Sequence, residues 1–159
     1  GCNAFLGGIS KNYGTNLLLS DTSEYVVIEA DEFDRSFHWL SPYISVVTAT
    51  DADHLDIYGT KEAYLESFRH YTSLIRPGGA LIMRKGIELQ PDLQEGVQLY
   101  TYSKEEGDFH AENIRIGSGE IFFDYISPLG NIDDIQLGVP IAINIENGVA
   151  ALGLARCHQ

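Results

Sequence analysis

The chain has 159 residues, 44% of them hydrophobic, enough for a sizeable core within about one domain. Its formal net charge of -13 argues against nucleic acid or an anionic membrane as partner, because both call for a basic face that displaces counterions from phosphates. An acidic protein can still take a nucleotide through Mg2+, backbone amides or a few local cations. Cys2 and Cys157 lie at opposite ends without CxxC or Cys/His spacing, which speaks against a disulfide framework or zinc site and for a reduced, cytoplasmic setting. No apolar run reaches the length of a membrane span. The opening GCNAFLGG has no initiator Met and no signal-peptide pattern, so the expectation is a fragment.

In chain order, FLGGISKNYGTN (5–16) comes first, with Gly7, Gly8 and Gly14 around Lys11. It fits neither GxxxxGKS/T nor GxGxxG and reads as a plain loop. YVVIEA (25–30) is continuously apolar until Glu29, as in a strand buried on both faces of a parallel sheet, and ISVVTA (44–49) reads the same way. DRSFHWLSP between them predicts a short crossover helix ended by Pro42. Thr60 is placed to cap a helix running to about Arg76, with Leu65, Phe68, Thr72 and Ile75 near one face and Pro77-Gly78-Gly79 as its stop. The strand ALIM (80–83) follows at once.

From Val97 the texture changes to short β-rich segments, VQLYTY, HAENIRIG, EIFFDYIS and IDDIQLG, which read as antiparallel strands. NIENGVAALGLARC (144–157) then returns to helix. The expected fold is α/β, a mostly parallel sheet flanked by helices with a small antiparallel β subdomain. Residues 1–96 would form the α/β part, 97–138 the β subdomain, and 139–159 the return to the α/β part.

Ligands in open α/β sheets bind beyond the carboxyl ends of the strands. Two such ends are unusually acidic: EADEFD, with Glu29, Asp31, Glu32 and Asp34, and DADHLD, with Asp51, Asp53, His54 and Asp56. Clustered carboxylates repel one another unless a cation or solvent offsets them. If the two strands are neighbours, a carboxylate from one and the imidazole of the other can converge on one hard ion such as Mg2+, which takes few protein ligands. The bland alternative is that these acids solvate loops or cap helices, and that Asn144 and Asn147 cap the last helix. No Walker-type phosphate loop and no G-x-S-x-G elbow occurs in the chain.

EADEFDRSF followed by VVTATDADHLDIYG resembles the central, ATP-binding domain of the Mur ligases of peptidoglycan synthesis. In that family an EADExDxSF segment and an ADHxD segment occur in this order and separation, and the wording here is most like the alanine-adding branch. The resemblance spans nearly the whole chain. FLGGISKNYGTN looks like the family's glycine-containing stretch, and AINIENGVAA falls where the family shows HNxxNAxAA.

The resemblance implies a P-loop-type fold, ATP and Mg2+ as cofactors, and UDP-N-acetylmuramate and L-alanine as small-molecule substrates joined through an acyl phosphate in the cytoplasm. It further implies that Glu29 holds Mg2+ at the ATP phosphates, that His54 helps hold a second Mg2+ near the acyl phosphate, and that Asn144 and Asn147 lie by the adenine. For Asp31, Asp53 and Asp56 it implies only loop-shaping or supporting roles. The chain departs from the pattern at Ala49 and Ile143, where the family has Asn and His. The family's GTHGKT loop and its N-terminal and C-terminal domains would lie outside this chain. The isolated chain is therefore expected to be inactive. Rival readings are the murein tripeptide ligase or another Mur ligase, a metal-dependent hydrolase using the same cluster to activate water, and a non-catalytic module.

Overall fold

The computed structural model describes residues 1–51, 55–138 and 141–158. The chain forms two compact units, Gly1–Phe37 and His38–Gln159, with the division falling inside the stretch expected to be one α/β part.

In the smaller unit β1 (Asn3–Phe5) lies between β2 (Leu17–Leu18), which runs antiparallel to it, and β3 (Val26–Ile28), which runs parallel with Asn3 opposite Val26. A single amide ties the loop that leads into β3: Asn3 accepts from the Ser20 amide at 2.8 Å and donates to the Tyr25 carbonyl at 3.0 Å. YVVIEA does form a parallel strand, but burial on both faces does not hold. Val26, Val27 and Ile28 are 41–57% exposed. The physical reason is local, since this unit has only short strands and no α-helix to lie across either face of its sheet.

The larger unit opens with a 3-10 turn at Ser36–Trp39, which shares its first residues with the smaller unit, and then β4 (Ile44–Val47). Two helices follow, α1 (Leu55–Tyr58) and α2 (Lys61–Ser73). Thr60 caps α2 as its position predicts, its hydroxyl accepting from the Ala63 amide at 3.1 Å. The helix stops at Ser73 rather than Arg76. The Arg76 amide is taken by the Pro42 carbonyl at 2.9 Å, so it cannot continue the helical ladder. Gly78, at φ 84°, then turns the chain. At Gly79 a Cβ would lie 1.9 Å from the Tyr43 carbonyl oxygen, so only glycine lets the chain enter β5 (Ala80–Arg84) this close to its neighbour.

β4, β5 and β6 (Gln98–Tyr102) form a parallel sheet in that order, with Ile44 opposite Ala80 and Ala80 opposite Gln98. VQLYTY thus belongs to the parallel sheet and not to the antiparallel strands with which its texture groups it. β4 sits at the edge of that sheet and alternates between buried and half-buried residues, instead of being buried throughout.

The last three strands, β7 (His110–Gly117), β8 (Glu120–Ile126) and β9 (Ile132–Leu137), form an antiparallel meander. They do not make a separate core. Ile82 and Tyr102 of the parallel sheet, Phe109, Ile121, Phe123 and Tyr125 of the antiparallel region, and Ile145, Val149 and Ala150 of α3 (Ile143–Cys157) pack in one buried cluster. Among the described residues no helix is long and apolar enough to cross a membrane.

The register of the meander shifts on both sides of β8, between Glu112 and Arg115 and between Phe123 and Tyr125. Asn113 at φ 47° and Asp134 at φ 55° take left-handed conformations there. Asp124 braces both: its carboxylate accepts from the Asp134 amide at 2.9 Å and from the Asn113 side chain at 2.7 Å. The Asp134 amide first, then the Asn113 amide, with Arg115 adding a smaller pull, hold the Asp124 carboxyl below the usual range. A carboxyl depressed in the folded state contributes stability above its unfolded pKa of about 4, and that contribution is lost as pH falls through the folded value. Asp124→Asn should therefore lower stability at neutral pH and flatten its decline below about pH 4. A stability curve parallel to the parent's across that range would contradict the brace.

Candidate nucleotide and metal site

Glu29 follows β3 directly. Its amide donates to the Phe5 carbonyl at 3.1 Å, and its carboxylate Oε2 accepts from the Gly7 amide at 2.8 Å. β1 and β3 are parallel neighbours, so Gly7 and Glu29 lie at the same, carboxyl, end of the pair. A Cβ on Gly7 would sit 2.9 Å from Oε2 and 3.0 Å from Oε1, which makes the glycine a cradle shaped for this carboxylate. The stretch that reads as a plain loop thus has one positioning task. The exposed carboxylate is fixed by a neutral backbone donor.

The rest of EADEFD shapes the loop. Asp31 Oδ1 accepts from the Phe33 amide at 2.9 Å and Asp34 Oδ1 from the Ser36 amide at 3.0 Å, both turn-forming contacts two residues along. The Asp31 carbonyl takes the Phe37 amide at 2.9 Å, and Arg35 sits at φ 63°, a conformation rare for a residue with a Cβ. This agrees with the loop-shaping role assigned to Asp31.

The second acidic segment leaves β4 through buried Thr50 and exposed Asp51. Asp53 and His54 lie outside the described residues, and the description resumes at Leu55 with α1. Among the described residues no three His, Cys, Asp or Glu side chains gather into a metal-binding group. Glu29 offers a hard carboxylate oxygen at the end of β3. That fits Mg2+, which commonly uses one or two protein carboxylates and completes its shell with water and phosphate oxygens.

Asn144 and Asn147 do not cap α3. Its N-cap is Ala142, with no side-chain cap bond, so both asparagines lie within the helix and the capping explanation falls away. Three residues apart, they share one helix face. Asn144 is half-buried and Asn147 exposed, and among the described residues neither amide side chain has a hydrogen-bond partner.

Between them Glu146 pairs with Arg84, the last residue of β5, at 3.1 Å. This bond sets the first turn of α3 at the carboxyl end of the parallel sheet, where ligands of such sheets bind. Beside it the Tyr102 hydroxyl is pushed up to about 12, mainly by burial and further by the Glu146 charge. Neither Arg84 nor Glu146 stands out in the sequence. The only signal is a cation placed where the apolar run ALIM ends. Arg84→Ala should cost about 1 kcal/mol of stability, since it leaves a largely covered carboxylate without its partner. In a double-mutant cycle with Glu146→Gln the effects should be non-additive; strictly additive losses would show that the pair does not couple sheet to helix.

Residues 9–155 match the family profile described as Mur ligase middle domain. A relative from Phocaeicola vulgatus, named UDP-N-acetylmuramate--L-alanine ligase, is 87% identical over 98% of this chain. The chain spans about a third of that relative's length, 34%. Among solved structures, the UDP-N-acetylmuramate-alanine ligase MurC of Thermotoga maritima superposes with a TM-score of 0.76 at 23% identity, covering 96% of this chain and 34% of that one. The MurF ligase of Thermotoga maritima in complex with ADP gives 0.68 at 17% identity, covering 96% of this chain and 38% of that one. At these identities the structures speak to the fold alone, and the fold is that of the Mur ligase central domain.

Proposed function

The chain belongs to the Mur ligase family, and on that premise we propose that it is the central part of an ATP-dependent ligase joining L-alanine to UDP-N-acetylmuramate in the cytoplasm. The observation that carries the reading is the 87% identity with a relative of that name. The geometry supports it by holding Glu29 in the Gly7 cradle at a strand end and by setting Asn144 and Asn147 at the carboxyl end of the parallel sheet. The phosphate loop and the domains that contact the UDP-sugar and the amino acid would lie in parts of the protein outside this chain.

The chemistry asks for what these residues supply. A carboxylate is a poor acyl donor, so its oxygen attacks the γ-phosphorus of ATP and ADP leaves, giving an acyl phosphate. The amine nitrogen of L-alanine then adds to the acyl carbon, loses a proton to a base, and phosphate departs as the amide forms. Each step crowds anions together. Glu29 would hold Mg2+ at the ATP phosphates and His54 would help hold a second Mg2+ near the acyl phosphate, and these ions would supply neutralising charge to the phosphate oxygens. Glu29 can do so because the Gly7 amide fixes its orientation before any ligand arrives. Asn144 and Asn147 each carry a donor and an acceptor, which matches the mixed edge of an adenine ring.

The test is phosphate release by the full-length protein with Mg2+, ATP and UDP-N-acetylmuramate. Release should depend on L-alanine. Release only with the L-Ala-γ-D-Glu-diaminopimelate tripeptide would move the protein to the tripeptide-adding branch, and phosphate release without ATP would favour a hydrolase. Glu29→Gln and His54→Ala should each lower turnover by about 10²-fold or more while leaving the melting temperature nearly unchanged. Turnover within a few-fold of the parent would remove that residue from the site.

A further inference from the structure

At the carboxyl end of the parallel sheet two largely covered polar atoms stand without hydrogen-bond partners. Tyr102 ends β6 opposite Arg84, which ends β5. Both side chains therefore lie on the sheet face that carries Ile82 and packs against α3. Tyr102 is only 1% exposed, and among the described residues its hydroxyl has no hydrogen-bond partner. Glu146 comes to the same place from α3. Its side chain is 14% exposed and Oε2 faces Arg84 Nε at 3.1 Å, while among the described residues Oε1 accepts no hydrogen bond. The Glu146 charge raises the Tyr102 pKa and the Arg84 charge lowers it, so the phenol lies in the field of both.

Covered polar groups without partners call for an explanation, because each has lost water and gained nothing in exchange. Packing does not supply one, since Phe at position 102 would fill the same core without burying a hydroxyl. What the two groups share is a fixed polarity. A carboxylate oxygen only accepts, whereas the phenol, pushed up to about 12 mainly by burial, keeps its hydrogen at neutral pH and can donate. The ligand edge that matches them offers a donor beside an acceptor on one rigid plane. Adenine offers this on both sides of its 6-amino group, next to N1 and next to N7. Hypoxanthine does not. Its O6 puts a second acceptor beside N7 and reverses the order of donor and acceptor beside N1, which sets an oxygen against the carboxylate.

We propose that Glu146 and Tyr102 read the 6-amino edge of the adenine of ATP and reject 6-oxopurines, with Arg84 as the positioning residue that orients the Glu146 carboxylate. The inference rests on the functional reading above, in which the adenine lies by Asn144 and Asn147 in the same turns of α3. The 6-amino group has two hydrogens, one on each edge, so the asparagines take one edge and this pair the other.

The test measures the affinities of ADP and IDP for the full-length protein in the presence of Mg2+ by isothermal titration calorimetry. The two nucleotides share sugar and phosphates and differ only at the purine 6-position and N1. The parent should prefer ADP by about tenfold or more. In Glu146→Gln, whose amide can donate to O6, the preference should shrink to within about threefold. Tyr102→Phe should weaken ADP roughly threefold to tenfold and leave IDP unchanged. Glu106→Gln is the control. Its exposed carboxylate pairs with Lys85, next to Arg84, so the change removes a charge at the same end of the sheet without touching the pair, and the preference should stay as in the parent. A ratio of affinities does not depend on how much of a variant folds, and Tyr102→Phe decides the matter where Glu146→Gln does not accumulate. Equal binding of ADP and IDP by the parent, a preference that survives both variants, or an equal loss of preference in Glu106→Gln would each overturn the inference while leaving the ligase reading intact. A parent that binds neither nucleotide would refute that reading and the inference with it.

Discussion

The larger unit depends on how closely α3 approaches two sheets at once. Ile145 and Val149 are fully buried between the parallel sheet and the antiparallel meander, and the helix comes so near that a Cβ on Gly153 would lie 2.7 Å from the Phe109 ring. Close-packed interiors transmit such constraints, because a shift of the helix opens voids on one side and overlaps on the other. The position of α3 along its axis is further set by Arg84 and Glu146. One packed helix thus fixes where Asn144 and Asn147 stand, at the ligand-binding end of the parallel strands. The meander serves that task by supplying the far wall of the helix's core, and Asp124 keeps its two bulges in place.

The acidic segments follow a different logic. Packing fixes α3, whereas the loop after β3 is built by its own polar groups: Asp31 and Asp34 close turns on nearby amides, and Gly7 makes room for the Glu29 carboxylate. These interactions commit Asp31 and Asp34 to local architecture and hold the Glu29 carboxylate at the end of β3. The question raised by so many carboxylates near two strand ends is answered in part by this division of labour. For the proposed ligase, the remaining charge is offset by the cation that accompanies ATP.

Much of this was legible in the sequence where a short-range rule decides the outcome. Thr60 caps α2 because its hydroxyl needs only an amide three residues on, and ALIM is a buried parallel strand because its apolar run is bounded by Pro77-Gly78-Gly79. The failures come from long-range geometry. VQLYTY is short and β-rich like the strands after it, yet that texture does not tell parallel from antiparallel pairing, and only its place beside β5 does. YVVIEA carries the composition of a doubly covered strand without a helix in its own unit to cover it. Asn144 and Asn147 resemble caps because the helix starts just before them, at Ile143. Gly7 carries no fingerprint because its partner, Glu29, is a side chain 22 residues along. Glu29 directly follows β3 and the asparagines lie in the first turns of α3, and the ligand roles that the family motifs imply for them rest on the proposed function. His54 lies outside the described residues, and its role rests on the proposed function.

The central claim of the proposed function is that the carboxylate after β3 and the imidazole of DADH each serve a metal ion that accompanies ATP. Its most direct test is pulsed electron paramagnetic resonance on the full-length enzyme with Mn2+ in place of Mg2+, ADP bound, and histidine labelled with 15N. The account predicts a 15N coupling to the metal that disappears in His54→Ala and persists in Glu29→Gln. Absence of any histidine coupling, or a coupling that survives His54→Ala, would contradict it.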